Sequence, residues 1–190
     1  MNPPVNPSQR HPAQPAGLTL IELMVTLTIT AVLLGIAVPS MQEMIARRRV
    51  AAVASELASD LRYMASTGLQ RNMPSQLDIK SNCYVVSLDS GSAGPCDCAL
   101  AAPCGTGVMA PQVLKLVTLP TSAGVTFTSS RANTLFDWRG ISQNGNPVSV
   151  TISSTNGGKA KVYTTGAIAR PYACSLEHQE SSFPACSGAP

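Results

Sequence analysis

Three patterns of apolar and polar positions succeed one another along the 190 residues. Residues 1–16 are polar and proline-rich and carry no apolar period. An apolar run then starts abruptly and lasts from Leu18 to Val38, broken by a single charge, Glu22. Its 21 residues, at about 1.5 Å each, give roughly 31 Å, about the thickness of a bilayer's hydrocarbon core. A segment in lipid must satisfy its own backbone, so the run is expected to be helical. Thr19, Thr26, Thr28 and Thr30 are tolerable there because their hydroxyls can bond preceding carbonyls. Gly35 and Pro39 loosen the helix near its exit, since a proline removes one backbone bond and can bend the axis.

The second pattern has a helical period. Met41, Ile45, Val53, Leu57, Leu61, Met64, Ala65 and Gly68 recur at steps of three and four, with arginines and acids between them. This predicts an amphipathic helix that continues the span and packs its stripe on a sheet. Asn72-Met73-Pro74 is read as its end. The third pattern is strand-like. Candidate strands are 76–79, 84–88, 113–119, 125–129, 134–138, 148–153 and 159–164, with a last short one through Ala167 and Ile168. Alternation in Val148-Ser149-Val150-Thr151-Ile152 and Val125-Thr126-Phe127-Thr128 marks half-buried antiparallel strands. Asn144-Gly145-Asn146-Pro147 and Asn156-Gly157-Gly158 are turn signals. Residues 90–111, rich in Gly, Ala, Pro and Cys, read as one long loop.

Cysteine usage refines this picture. Cys83, Cys96, Cys98, Cys104, Cys174 and Cys186 all follow the apolar run, and an even count on one side of a membrane favours disulfides in an oxidising compartment. A zinc site is the competing reading. It fails on spacing, Cys96-x-Cys98 rather than Cys-x-x-Cys, and on ligands, with His178 the sole histidine after residue 17. Cys174 with Cys186 is the expected pair, as neighbours bracketing a polar tail. The order of the other four stays open. The arginines pull the other way. Arg47, Arg48 and Arg49 follow the run, and by the positive-inside bias they would place the following domain in the cytoplasm. The cysteines place it outside.

Gly17-Leu18-Thr19-Leu20-Ile21-Glu22 resembles the type IV prepilin signature, and Pro39 falls where pilins commonly carry a proline. The usual first mature Phe is Leu18 here. The resemblance implies cleavage between Gly17 and Leu18 by a prepilin peptidase on the cytoplasmic face. It further implies N-methylation of Leu18, an inner-membrane assembly platform, and a filament shared with other pilins or pseudopilins. Glu22 and Pro39 are then the assembly residues: an acid at Glu22 can neutralise the buried amino group of Leu18, and an unpaired charge there would cost several kcal/mol. A secretory signal peptide does not fit, because its apolar region would be shorter and would end, not begin, at the cleavage site. A plain membrane anchor explains the run but not Gly17 or Glu22.

The element order resembles the type II secretion protein H and FimT group of minor pilins. The likeness lies in Leu61-Arg62-Tyr63-Met64-Ala65 through Arg71-Asn72, in Phe136-Asp137-Trp138-Arg139-Gly140, and in Lys161-Val162-Tyr163-Thr164-Thr165-Gly166. It implies an α+β, pilin-like fold: a long N-terminal helix packed on an antiparallel β-sheet domain with disulfide-stapled loops. The expected organisation is a cleaved leader at 1–17, a membrane and filament-core helix at 18–39, and a periplasmic domain at 40–190. Within that domain, 40–70 is helical, 75–170 is β-rich and 171–190 is a C-terminal tail. The place implied is the bacterial inner membrane, single-pass, then the filament.

No catalytic constellation is present. The acids lack metal-ligand spacing, no glycine-rich phosphate loop follows a strand, and a Ser-His-Asp arrangement has only His178 to draw on. The chain is expected not to be an enzyme and to need no cofactor or metal. The net charge of +3 falls to +2 if Arg10 leaves with the leader, too little to argue for nucleic acid by itself. Some FimT-type pilins bind DNA through a basic Gly-Arg-x-Arg motif. The matching stretch here is Gly166-Ala167-Ile168-Ala169-Arg170, which has lost the first arginine. Lys159, Lys161 and Arg170, with Arg131 and Arg139, are the residues left for that second reading.

Overall fold

A computed structural model describes residues 17, 19–89, 94–108, 110–143, 145–165, 170–177 and 183–186. Residues 1–16 of the leader, Leu18, Gly166 to Ala169 and His178 lie outside the described residues, and so does the short strand expected through Ala167 and Ile168. The chain divides into two units, Met1–Pro39 and Ser40–Pro190. One helix, α1 (Leu20–Arg71), contributes to both and includes Pro39.

In the first unit the threonines behave as their chemistry requires. Thr26 donates to the Leu23 carbonyl at 2.9 Å, Thr28 to Val25 at 2.8 Å and Thr30 to Thr26 at 2.7 Å. Each of these three hydroxyls thus has a carbonyl partner in an apolar setting.

In the second unit α1 ends in a Schellman motif. The Met73 amide reaches back to the Gly68 carbonyl at 3.0 Å and that of Asn72 to Leu69 at 3.4 Å, with Asn72 left-handed at φ 51°. A Cβ on Gly68 would sit 3.0 Å from the Met73 carbonyl, so a larger residue would crowd the cap. Among the described residues eight strands follow: β1 (Ser75–Ile79), β2 (Cys83–Leu88), β3 (Gln112–Thr118), β4 (Val125–Ser129), β5 (Asn133–Phe136), β6 (Ser149–Ser154), β7 (Lys159–Thr164) and β8 (Pro171–Ser175). They form two four-stranded sheets, β3-β2-β1-β5 and β4-β6-β7-β8, in which every pairing is antiparallel.

One core joins the helix to both sheets. Val50, Leu57, Leu61 and Met64 of α1 pack with Leu77, Tyr84, Val86 and Phe136 of the first sheet and with Phe127, Val150, Ile152 and Val162 of the second. The buried stripe begins later than the large apolar residues suggest: Met41 and Ile45 are 65% and 45% exposed, and burial starts at Ala46. Ala46, Ala51, Ala54 and Ala58 line the packed face. Small residues let the helix approach closely, but a period read from bulky residues alone passes over them.

Two further expectations are corrected. The expected C-terminal tail from 171 onward starts with β8, which pairs Tyr172 with Tyr163 and Cys174 with Lys161. Proline is tolerated at its first position, where no ladder N–H is required. The strand expected to reach Trp138 stops at Phe136, because the Asp137 carboxylate accepts from the Arg139 and Ile141 amides at 2.9 and 2.8 Å and turns the chain.

The structure also assigns the disulfides: Cys83–Cys98, Cys96–Cys104 and Cys174–Cys186. The first two staple the loop after β2 over the first sheet, where Cys83, Val85, Cys96 and Cys98 make a second, smaller apolar cluster.

Candidate assembly site and its surroundings

The start of α1 is built as a helix cap. Thr19 precedes the first helical residue, and its hydroxyl accepts from the Glu22 amide at 3.3 Å. Thr19-Leu20-Ile21-Glu22 has the spacing of a capping box, in which an acid three residues after the cap also faces the positive end of the helix dipole. The sequence carries this spacing, and the structure shows Thr19 capping the helix, whereas the sequence pattern alone suggests that its hydroxyl would bond a preceding carbonyl. Gly17 is exposed. Leu18, the expected first mature and methylated residue, lies outside the described residues.

Beyond the cap, Leu20, Ile21, Leu23, Met24, Leu27, Val32, Leu33 and Ile36 are exposed large apolar side chains. So many on one element mark a surface meant for lipid or for other chains. Among the described residues α1 is the one helix long and apolar enough to cross a membrane.

Two of the arginines that follow have partners within the second unit. Arg47 pairs with Glu43, one helical turn back. The turn between β6 and β7 presses on this point: a Cβ on Gly158, at φ 91°, would lie 3.0 Å from the Arg47 Cα. Arg49 reaches the Ala123 carbonyl at 3.5 Å, and Arg48 is exposed.

Two polar clusters hold the domain together. Asp60 of α1, 7% exposed, accepts from the Tyr84 hydroxyl at 2.6 Å and from Lys115 at 2.9 Å, and Lys115 also reaches Glu56 at 2.8 Å. Glu56 and Asp60 hold the Lys115 ammonium above its usual range, while burial, then Asp60, push the Tyr84 hydroxyl far up. On the opposite face of the first sheet, Asp78 accepts from Gln76 and Asn133, both at 2.6 Å. Burial still raises the Asp78 carboxyl above the ordinary value, against those hydrogen bonds. Among the described residues no three metal-ligating side chains converge.

The basic residues considered for DNA fall into separate places. Lys159 and Lys161 lie on the outer face of β7, Arg170 is exposed just before β8, and Arg139 is committed to Trp138, 5.0 Å below it, and to Asp137. Arg170 instead shares a groove with Arg62, Pro171 and Tyr172, and Tyr172 stacks on Tyr163 at 5.9 Å.

With this geometry in place, the family models decide the assignment. Residues 14–38 match the prokaryotic N-terminal methylation motif, and residues 53–166 match the type II transport protein GspH family. The chain belongs to the GspH family. That match runs from the buried half of α1 through β7. GspH-family pilins and pseudopilins are structural proteins rather than enzymes. No curated protein sequence matches the chain. Two solved structures of the type IV minor pilin FimU of Pseudomonas aeruginosa are similar to it. One is 20% identical and covers 62% of this chain and 82% of FimU, with a TM-score of 0.43. The other is 17% identical and covers 64% and 90%, with the same TM-score of 0.43.

Proposed function

We propose that this GspH-family chain is a minor pilin or pseudopilin that helps to initiate or cap a filament, a type IV pilus or a type II secretion pseudopilus. Prepilin peptidase cuts between Gly17 and Leu18, Leu18 is N-methylated, and the inner membrane holds the chain with its cysteine-rich domain in the periplasm until assembly. Glu22 neutralises the Leu18 amine in the apolar filament core, where a lone charge would cost several kcal/mol. The observation that carries this reading is the methylation motif at 14–38 joined through α1 to the family domain at 53–166. Mass spectrometry should find a mature chain starting at methylated Leu18. Glu22→Ala should be cleaved normally yet be largely missing from sheared filaments; normal incorporation would overturn the pairing role.

The second reading, DNA capture by a filament, has one observation in its favour. Arg62 and Arg170 line one groove with Tyr172, which stacks on Tyr163, and guanidinium groups beside aromatic faces suit single-stranded nucleic acid. A Lys159→Gln/Lys161→Gln/Arg170→Gln variant tests it by gel shift and transformation. Unchanged uptake with intact filaments would sink it.

A further inference from the structure

At the foot of the second unit, Gln42, Ile45, Ala46 and Arg49 share one face of α1 at steps of three and four residues. The turns at 122–124 and 154–156 face them across a groove of about 260 Å3. That is the space of roughly nine waters at about 30 Å3 each, enough for a phosphodiester and the polar head it carries. The polar lining is one-sided in charge: the guanidinium of Arg49, the amides of Gln42 and Asn156, and the hydroxyls of Ser122 and Thr155. No carboxylate lines it, and the nearest acid on α1, Glu43, is paired with Arg47. Arg49 spends one long contact, 3.5 Å, on the Ala123 carbonyl. A guanidinium has five N–H donors, and the rest suit two oxygens of a phosphate.

What separates a lipid from a free anion is the apolar setting. Ile45 lines the groove and is exposed, Met41 is exposed one turn before it, and Arg48 is exposed next in the chain to Arg49. Apolar side chains followed at once by arginines form the pattern of a membrane interface, where methylenes meet acyl chains and guanidinium groups meet headgroups. We infer that this groove holds the phosphate of an anionic phospholipid while the chain waits in the membrane. The inference rests on the membrane-anchored reading above. It also gives Arg49 a task on the cysteine-rich side of the bilayer, where the positive-inside bias assigns it none.

The test uses the full chain in detergent micelles, offered equimolar phosphatidylglycerol and phosphatidylcholine and examined by native mass spectrometry. Wild type should retain phosphatidylglycerol in preference. Arg49→Gln should cut that preference about fivefold, the effect of one arginine near an anionic surface. Arg71→Gln, outside the groove, should leave it intact, and Trp138 fluorescence should confirm that both variants stay folded. Equal retention of the two lipids by wild type, or equal loss in both variants, overturns the headgroup site. Chloride and inorganic phosphate at matched ionic strength should weaken retention alike; a larger loss in phosphate identifies a free-anion site and overturns the lipid assignment. A chain that stays in water without detergent overturns the membrane-anchored reading, and the headgroup site with it.

Discussion

The first sheet buries both faces of β1 and β2, whereas in the second sheet β6 and β7 bury alternate residues. In the second sheet the inward set is Val150, Ile152, Ala160 and Val162, and the outward set is serine, threonine, lysine and tyrosine. That sheet solves its solvation problem by composition: one face is oily and the other is wet. The first sheet has an outward face carrying Gln76, Asp78, Val85 and Ser87, and the loop after β2 covers it. Such a cover cannot come from hydrophobic burial alone, because Cys83, Val85, Cys96 and Cys98 form too small a cluster. It is fixed covalently by Cys83–Cys98 and Cys96–Cys104. The difference teaches where this domain is vulnerable: the second sheet would tolerate surface change, and the first depends on its cross-links.

The largest expected effect follows from that. Replacing Cys83 and Cys98 together by Ala frees a segment with a sequence separation of 15, worth about 3 kcal/mol by chain entropy. Uncovering Asp78 and Val85 adds to the loss. The Cys174→Ala/Cys186→Ala pair frees a similar separation of 12 but releases only the terminal segment beside β8. Guanidinium unfolding of the full chain in detergent, followed by Trp138 fluorescence, should show the first pair clearly less stable than the second. Equal losses would break the contrast between the sheets.

A smaller effect is expected where α1 meets the first sheet. Tyr84→Phe removes the hydroxyl that donates to Asp60 but keeps the ring that meets Phe127 edge-on at 5.6 Å. Asp60 retains Lys115, so the cost should be that of one hydrogen bond to a charged group, about 1.5–3 kcal/mol. The same unfolding experiment reads it. No measurable loss would mean that Lys115 alone satisfies Asp60.

The two sheets also differ in how far the sequence discloses them. β4 and β7 can be bounded to the residue, because alternation of Val and Phe with Thr, or of Lys with Ala and Val, is the direct signature of a half-buried strand. Most of α1 is equally legible from its apolar run and its Asn72-Met73-Pro74 stop. Other features hide for physical reasons. Asp60 sits in the buried stripe of α1 as an acid, and only Tyr84 and Lys115, distant in sequence, make that tenable. β8 begins with Pro171 and carries Cys174, so locally it resembles a tail; its pairing with β7 defines it. Six cysteines allow fifteen connectivities, and the structure selects one. At the start of α1, Glu22 stands out as a charge in an apolar run, and the capping-box spacing from Thr19 is readable in the sequence, but the 3.3 Å bond from the Glu22 amide to the Thr19 hydroxyl is what shows the cap formed.

The smallest predicted effect is a pH slope, and it tests whether the covered face of the first sheet is electrostatically distinct. The Asp78 carboxyl is raised above its ordinary value by burial, while that of Asp97, in the loop above it, is lowered by its hydrogen bond to Lys80. The signs are opposite. For Asp78, protonation is easier in the folded state, so its contribution to stability is fullest below the unfolded carboxylate value, about 3.9, and is lost as pH rises through the raised folded value. For Asp97, the contribution is present above the unfolded value and is lost as pH falls through the lowered one. Asp78→Asn should therefore remove a component that falls as pH climbs above the ordinary carboxylate range. Asp97→Asn should remove one that falls on acidification below it. The unfolding midpoint measured from pH 3 to 7 reads both, as a change of slope rather than of plateau. If Asp78→Asn leaves the slope unchanged, the cover over the first sheet admits enough water to solvate Asp78, and the two sheets differ in packing but not in polarity.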